Sequence, residues 1–320
     1  MSWLRSRHSN PSKGKQAAVA FDSDALPEWT PAAGVSHEYG LVNEASDDDY
    51  NKALKFLDRN PLPEMPRFFP SHTVESINDG EGVREWRIEV PTTPRFVGKV
   101  GSPEKEKAVC TVETRRSCKD TCLMSNLPIA TGMYDVRQSG VYYEVCIHKM
   151  DSVVAIGTAC RPYPDFRLPG WHRLSVGFHL DDMRKFYDDP TGGMDYSVPT
   201  RKISPGDVVG CGLDFTTQAV FFTYNGLRLP DAFGGVYVPR SAYDVYAAIG
   251  VDGQSKFDVN FGGAPFKWKE ANEWSWRIEG QLTARRNAGG PSGGAQASVI
   301  DDELPSYTDA VAGGARRRRY

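Results

Sequence analysis

Short runs of β-branched and aromatic residues recur through the middle of this chain, divided by turns rich in Gly, Pro, Asp and Ser. From Val83 onward they read VREWRIEV, RFVGKV, AVCTVET, LPIATG, GVYYEVCIHKM, VVAIGTAC and RLSVGFHL, then VVGCGLDF, AVFFTYN, LRLP, VYAAIGV and FDVNFG. Such close spacing without interposed helices predicts an all-β sandwich or barrel. Asn225-Gly226, between AVFFTYN and LRLP, predicts a two-residue hairpin turn, because both residues tolerate the positive φ it needs. Alternation in Phe222-Thr223-Tyr224 predicts one face inward and one outward. Glycines 206, 210 and 212 suit bulges or close sheet contacts.

The best helix in the sequence is 46–60, SDDDYNKALKFLDRN. Ser46 followed by Asp49 is a capping-box-like start, the acidic first turn suits the helix dipole, and Pro61 stops the helix. Tyr50, Ala53, Leu54 and Leu57 form an apolar stripe that reads as docking either on the sandwich or on a partner helix. Residues 61–80 read as a Pro-rich extended lead-in. Trp268, Trp274 and Trp276 are expected to close the end of the core. The resulting division is a disordered segment 1–45, a helix and N-terminal extension 46–139, a β core 140–280 and a disordered tail 281–320, whose NAGGPSGGAQA is a flexible-linker composition.

Charge and cysteine content narrow the function. A net charge of −3 across 320 residues gives no reason to expect nucleic acid. The basic run Arg316 to Arg319 and the acidic runs Asp47–Asp49 and Asp301–Glu303 read as solvated termini or faces. No export signal and no apolar run long enough for a transmembrane segment is visible, so six reduced thiols in the cytoplasm are the expectation. Cys118 and Cys122 have the spacing of half a zinc site but lack a second pair, and read as free thiols in a loop or strand edge.

Several motifs in fixed order carry a family resemblance. GVYYEV at 140–145, VVAIGTA at 153–159, LPGW at 168–171, SVGFHLDD at 175–182, GDVVGCGLDF, FFTYNGLRLPDAF, YAAIGVDG and VNFGGAPF resemble the SPRY domain over about 140–266. The SVGFHLDD block is similar to that of fungal and Ran-binding-protein-M type members, which show glycine after the two aspartates where this chain has Met183. The resemblance implies a sandwich of two antiparallel sheets that binds proteins and performs no chemistry.

The residues themselves point the same way. His148 and His179 fall in predicted strands, His172 sits beside Trp171, and no nucleophile motif surrounds a Ser or Cys. Asp181-Asp182 reads as a solvated turn rather than a cation site, and Gly192-Gly193 lacks the spacing of a phosphate loop. No cofactor and no metal is expected.

Two regions carry the expected function. Loops at one edge of SPRY sandwiches hold short peptides, and the matching loop here runs from Arg161 to Trp171. Arg161, Tyr163, Phe166, Arg167 and Trp171 are residue types that dominate interfaces. Tyr163 and Phe166 read equally well as hot spots or as plugs of the sandwich end, and Trp171 favours the core. In the tail, Leu304-Pro305-Ser306-Tyr307 fits the LPxY variant of the PPxY motif that WW domains bind, or else is an incidental turn. Proline favours the extended conformation and Tyr307 would fill a second pocket. The linker before it, about 24 residues, would span about 25–30 Å as a coil.

This arrangement resembles fungal SPRY adaptors of WW-containing HECT-type ubiquitin ligases. It implies a cargo protein held by the SPRY loops, a ligase recruited at Leu304, Pro305 and Tyr307, and a cytoplasmic location with peripheral attachment at endosomal or vacuolar membranes. The alternative is a scaffold subunit of a multi-protein complex that recruits no ligase directly.

Overall fold

The computed structural model describes residues 47–62, 71–101, 109–132, 138–239 and 242–287. Among these residues thirteen strands form two antiparallel sheets. The first strands are β1 (Gly98–Val100), β2 (Cys110–Thr114), β3 (Thr121–Met124), β4 (Gly140–Met150) and β5 (Val154–Cys160). Then come β6 (Ser175–His179), β7 (Arg184–Tyr187), β8 (Met194–Asp195), β9 (Val208–Asp214) and β10 (Ala219–Tyr224). The last are β11 (Leu227–Gly234), β12 (Val245–Val251) and β13 (Ser255–Asn260). The seven-stranded sheet runs β1-β2-β13-β4-β9-β10-β11, and the six-stranded sheet β3-β12-β5-β6-β7-β8. This is the all-β sandwich the strand spacing predicts, with Val141, Tyr143, Val145, Ile156, Phe178, Val220, Phe222, Ile249 and Phe257 filling the space between the sheets.

The hairpin turn forms as expected, with φ of 51° at Asn225 and 84° at Gly226. Asn225 Oδ1 also accepts the Val208 amide at 3.0 Å, which ties the turn to β9. Met183 adopts φ 60°, so it occupies the left-handed conformation that a glycine would enter freely. Its side chain is buried.

Several expectations are corrected. VREWRIEV is no strand: Gly82–Glu85 is a 3-10 turn, and only Ile88 bridges, to Ser125. LPIATG contributes one bridge, Ala130 to Val245. The lead-in contains helix α2, Ser71–Asp79, and the chain after 281 stays helical to the end of α3, Ile278–Asn287. Helix α1, Asp47–Arg59, forms where expected but turns a different face to the protein. Ala53 is buried and Asp49, Phe56 and Leu57 half-buried, while Tyr50 and Leu54 are exposed. Among the described residues no helix is long and apolar enough to cross a membrane.

The alternation in β10 holds, with Phe222 between the sheets and Thr223 on the other face, and that outer face of the seven-stranded sheet is covered as well. Phe266, Trp268 and Trp276 pack on Tyr142 and Phe221, while Trp274 remains half-exposed. Thr223 is buried there and bonded to Tyr142 Oη at 2.7 Å. Glu144 accepts from Tyr142 Oη at 3.2 Å and from the Lys267 amide at 3.0 Å. Burial raises the Glu144 carboxyl above its ordinary range. Gly210 and Gly212 leave room for the Tyr142 and Phe221 rings, as close sheet contacts require.

Candidate partner-binding site

The loop Arg161–Leu174 joins β5 to β6, and its two halves have different fates. The inner half folds back over the outer face of the six-stranded sheet. Leu168 and Trp171 pack there on Val153, Ala155 and Phe186. Gly177 makes this possible, because the Pro169 carbonyl lies where a side chain on β6 would project. The Ser175 hydroxyl donates to the His172 carbonyl at 2.5 Å and accepts the Gly170 amide at 2.9 Å. Tyr163 Oη donates to the Leu168 carbonyl at 2.7 Å, so Tyr163 anchors one half of the loop to the other.

His179 reaches this turn from β6, donating from Nε2 to the Pro169 carbonyl at 2.9 Å between the rings of Trp171 and Phe186. Burial pushes its pKa down to about 4. His172 falls to about 4 as well, through burial first and then through Arg167 and Arg173. A histidine depressed in the folded state contributes stability above its unfolded pKa and loses it as pH falls from about 6.5 towards 4. The stability advantage of the wild type over His179→Gln should therefore shrink by about 2 kcal/mol between pH 7 and pH 5. Urea unfolding at the two pH values checks this, and a constant difference would refute it.

The outer half of the loop forms one wall of a cleft of about 470 Å³. Arg161, Tyr163 and Pro164 line it, opposite Val90 and Pro91, with Phe56 of α1 at one end. Arg161 Nη2 donates to Glu89 Oε2 at 2.6 Å and to the Ser125 carbonyl at 2.8 Å. Its guanidinium also lies over the Tyr246 ring, 4.5 Å from the centroid. The cleft thus mixes apolar side chains (Phe56, Val90, Pro91, Met124) with polar ones (Asn60, Glu89, Thr92, Arg161, Asp165), so a ligand there would meet both packing and hydrogen-bonding groups.

Of the loop residues that sequence points to, Arg161 and Tyr163 meet in this cleft, and Phe166 is half-buried outside its lining. Arg167 and Trp171 are inside the protein, 1% and 4% exposed. Sequence reasoning misses the opposing wall, 89–92, of which it reads only Glu89 and Val90, as the end of a strand, and misses α1 as the neighbour of the loop. Leu304, Pro305 and Tyr307 lie outside the described residues, as does the basic terminus.

The thiols are poorly suited to nucleophilic work. Burial raises Cys110 to about 11 and holds Cys122, Cys160 and Cys211 well above the ordinary thiol range. All six cysteines are free; Cys122 lies on edge strand β3 and Cys118 in the turn before it. Asp181 and Asp182 are half-buried rather than fully solvated, and burial plus the neighbouring Asp182 raises Asp181 to about 7. Among the described residues, no group of three or more His, Cys, Asp or Glu is arranged to hold a metal.

Comparison with known proteins matches residues 140–264 to the SPRY domain. The protein ssh4 of Sclerotinia sclerotiorum is 30% identical over 284 residues, covering 85% of this chain and 49% of the relative. A SPRY domain-containing protein of Schizosaccharomyces pombe is 32% identical over 163 residues, 50% of this chain and 38% of the relative. A crystal structure of a human SPRY domain aligns with a TM-score of 0.38 at 22% identity, covering 47% of this chain and 90% of that one. The chain spans about half the length of the ssh4 proteins it matches.

Proposed function

Residues 140–264 are a SPRY domain, and from that premise we infer that the chain is a non-catalytic adaptor that holds a cargo protein at the 161–171 cleft and recruits a WW-domain ubiquitin ligase through Leu304, Pro305 and Tyr307. A relationship to ssh4 proteins agrees with an interaction module. The observation that carries the cargo half is the cleft itself: mixed apolar and polar lining, the Arg161 guanidinium held by Glu89, and one lining thiol, Cys122, that burial keeps protonated. An extended peptide fits such a surface better than a reacting small molecule would. Val90 is exposed in this wall, so Val90→Asp should leave the fold intact and weaken cargo capture from a lysate. Unchanged capture would remove the cleft from the reading.

Support for the ligase half comes from LPSY, which follows three acids and a Gly-rich linker. Its role is ubiquitination and trafficking of whatever the SPRY domain holds, in the cytoplasm and at the surface of endosomal or vacuolar membranes. The deciding experiment is titration of a fluorescent peptide, residues 298–312, into a WW domain of a HECT-type ligase. Micromolar binding is expected, and Tyr307→Ala should weaken it at least about thirtyfold, because an aromatic anchor in a closed pocket contributes about 2 kcal/mol or more. No binding, beside a PPxY control that does bind, would leave a SPRY recognition module with no ligase arm.

A further inference from the structure

Helix α1 packs against the inner half of the 161–174 loop, and its hold there is narrow. Ala53 is its one buried side chain among those described, while Tyr50 and Leu54 stand 47% and 46% exposed. The Arg173 guanidinium donates to the Asn60 carbonyl just past the last turn, and the Phe56 ring meets His172 edge-on at 5.9 Å. Arg95 Nη2 stands 3.9 Å from the carboxylates of both Asp49 and Asp120. A helix of 13 residues is marginal by itself in water, so α1 owes its order to these few ties.

Beside it lies a guanidinium short of acceptors. Arg167 is 1% exposed, and its Nε and Nη1 have no hydrogen-bond acceptor. Nε of Arg161, Nε2 of His172 and Nε of Arg173 are buried without partners too. Asp49 and Tyr50 of α1, with Asp120 and Tyr163, act on the Arg167 charge through space. A guanidinium taken out of water without acceptors is unfavourable, and any acceptor it gains makes a strong charge-assisted bond. With α1 seated, then, the loop holds an unmet demand for acceptors at its inner end.

We propose that α1 is a displaceable strap, and that Arg167 beside it anchors a carboxylate-bearing segment of the partner that takes the place of α1. This rests on the reading of the 161–171 loop as the cargo site, and it adds the chemistry of the ligand and the element that controls access. An acidic side chain fits because α1 already brings Asp49 towards Arg167, and that carboxylate leaves with the helix. A carboxylate also matches the guanidinium fork with two parallel bonds. A doubly charged phosphate would sit against the remaining Asp120.

The test uses the full chain and a displayed random dodecapeptide library, selected on the wild type and on Ala53→Gln, whose longer side chain has no room under α1. Arg173→Gln, which cuts the tie to Asn60, is the second unseating variant. Peptides enriched on either variant should carry Asp or Glu. They should bind the wild type at least about tenfold more weakly, and lose at least about tenfold when Arg167→Gln is added. Hydrogen exchange should show α1 amides unprotected in both variants while the strands stay protected. Selected peptides without acidic residues, or with affinities indifferent to α1 and Arg167, would overturn the proposal. Peptides that respond to Val90→Asp but not to Ala53→Gln or Arg167→Gln would keep the cleft reading and sink the strap. Selection of nothing by any of the proteins would sink both.

Discussion

Gly177→Ala is expected to destabilise the domain by about 3 kcal/mol or more. Gly177 sits in β6 opposite Gly157 of β5. A Cβ at 177 would fall on the Pro169 carbonyl, and one at 157 on the Val176 carbonyl. Both obstacles are backbone, which cannot swing aside as a side-chain tip can. The Pro169 carbonyl, moreover, already accepts from His179 Nε2. Relieving the clash at 177 would therefore lift the turn, leave a buried imidazole N–H unpaired and open the packing of Leu168 and Trp171 on the sheet.

Gly234 supplies the control. No atom lies within 4 Å of a Cβ built there, so Gly234→Ala should change stability by no more than about 0.5 kcal/mol. Urea unfolding of the two variants beside the wild type decides the matter. A Gly177→Ala protein within 1 kcal/mol of Gly234→Ala, on the order of measurement error plus relaxation, would mean that the turn moves freely, and the loop would then be no fixed platform for a partner.

How the chain declares this fold varies with how local each signal is. Strands β4, β5, β6, β9, β10 and β12 combine β-branched and aromatic residues with flanking turn residues, and all are legible. Strand β3 is not, because TCLM follows a Lys-Asp turn and gains its strand partner from β12, more than a hundred residues away. VREWRIEV has the local pattern of a strand, yet Trp86 is drawn into the core and donates from Nε1 to the Pro128 carbonyl at 3.0 Å. Tertiary burial there overrides propensity. For α1 the period is readable but the phase is not, since the half-buried Phe56 adds to the inward stripe and Tyr50 leaves it. The site divides likewise: the residue types of the 161–171 loop are evident in sequence, whereas its far wall at 89–92 and its contact with α1 exist only through long-range packing.

Trp268→Ala should cost about 3–5 kcal/mol, the range for emptying the space of a buried Trp. Trp268 is 4% exposed. Its ring lies 5.1 Å from Tyr142, 5.2 Å from Phe221 and 5.0 Å from Trp276, all tilted or edge-on. Removing it would uncover the outer face of β4, β9 and β10 and admit water to the Tyr142, Thr223 and Glu144 hydrogen bonds. Trp274, 49% exposed in the same segment, has no such position, and Trp274→Ala should cost less than about 1 kcal/mol. The contrast bears on where the folding unit ends. The family match stops at 264, but the ring that seals the sheet comes four residues later and leans on Trp276. A chain cut at 264 should consequently unfold at far lower urea than one cut at 287, because the Tyr142 and Phe221 rings would face water. Equal urea midpoints for Trp268→Ala and Trp274→Ala would make the C-terminal segment an ornament on a self-sufficient sandwich. Unequal midpoints would make it the third layer on which the seven-stranded sheet depends.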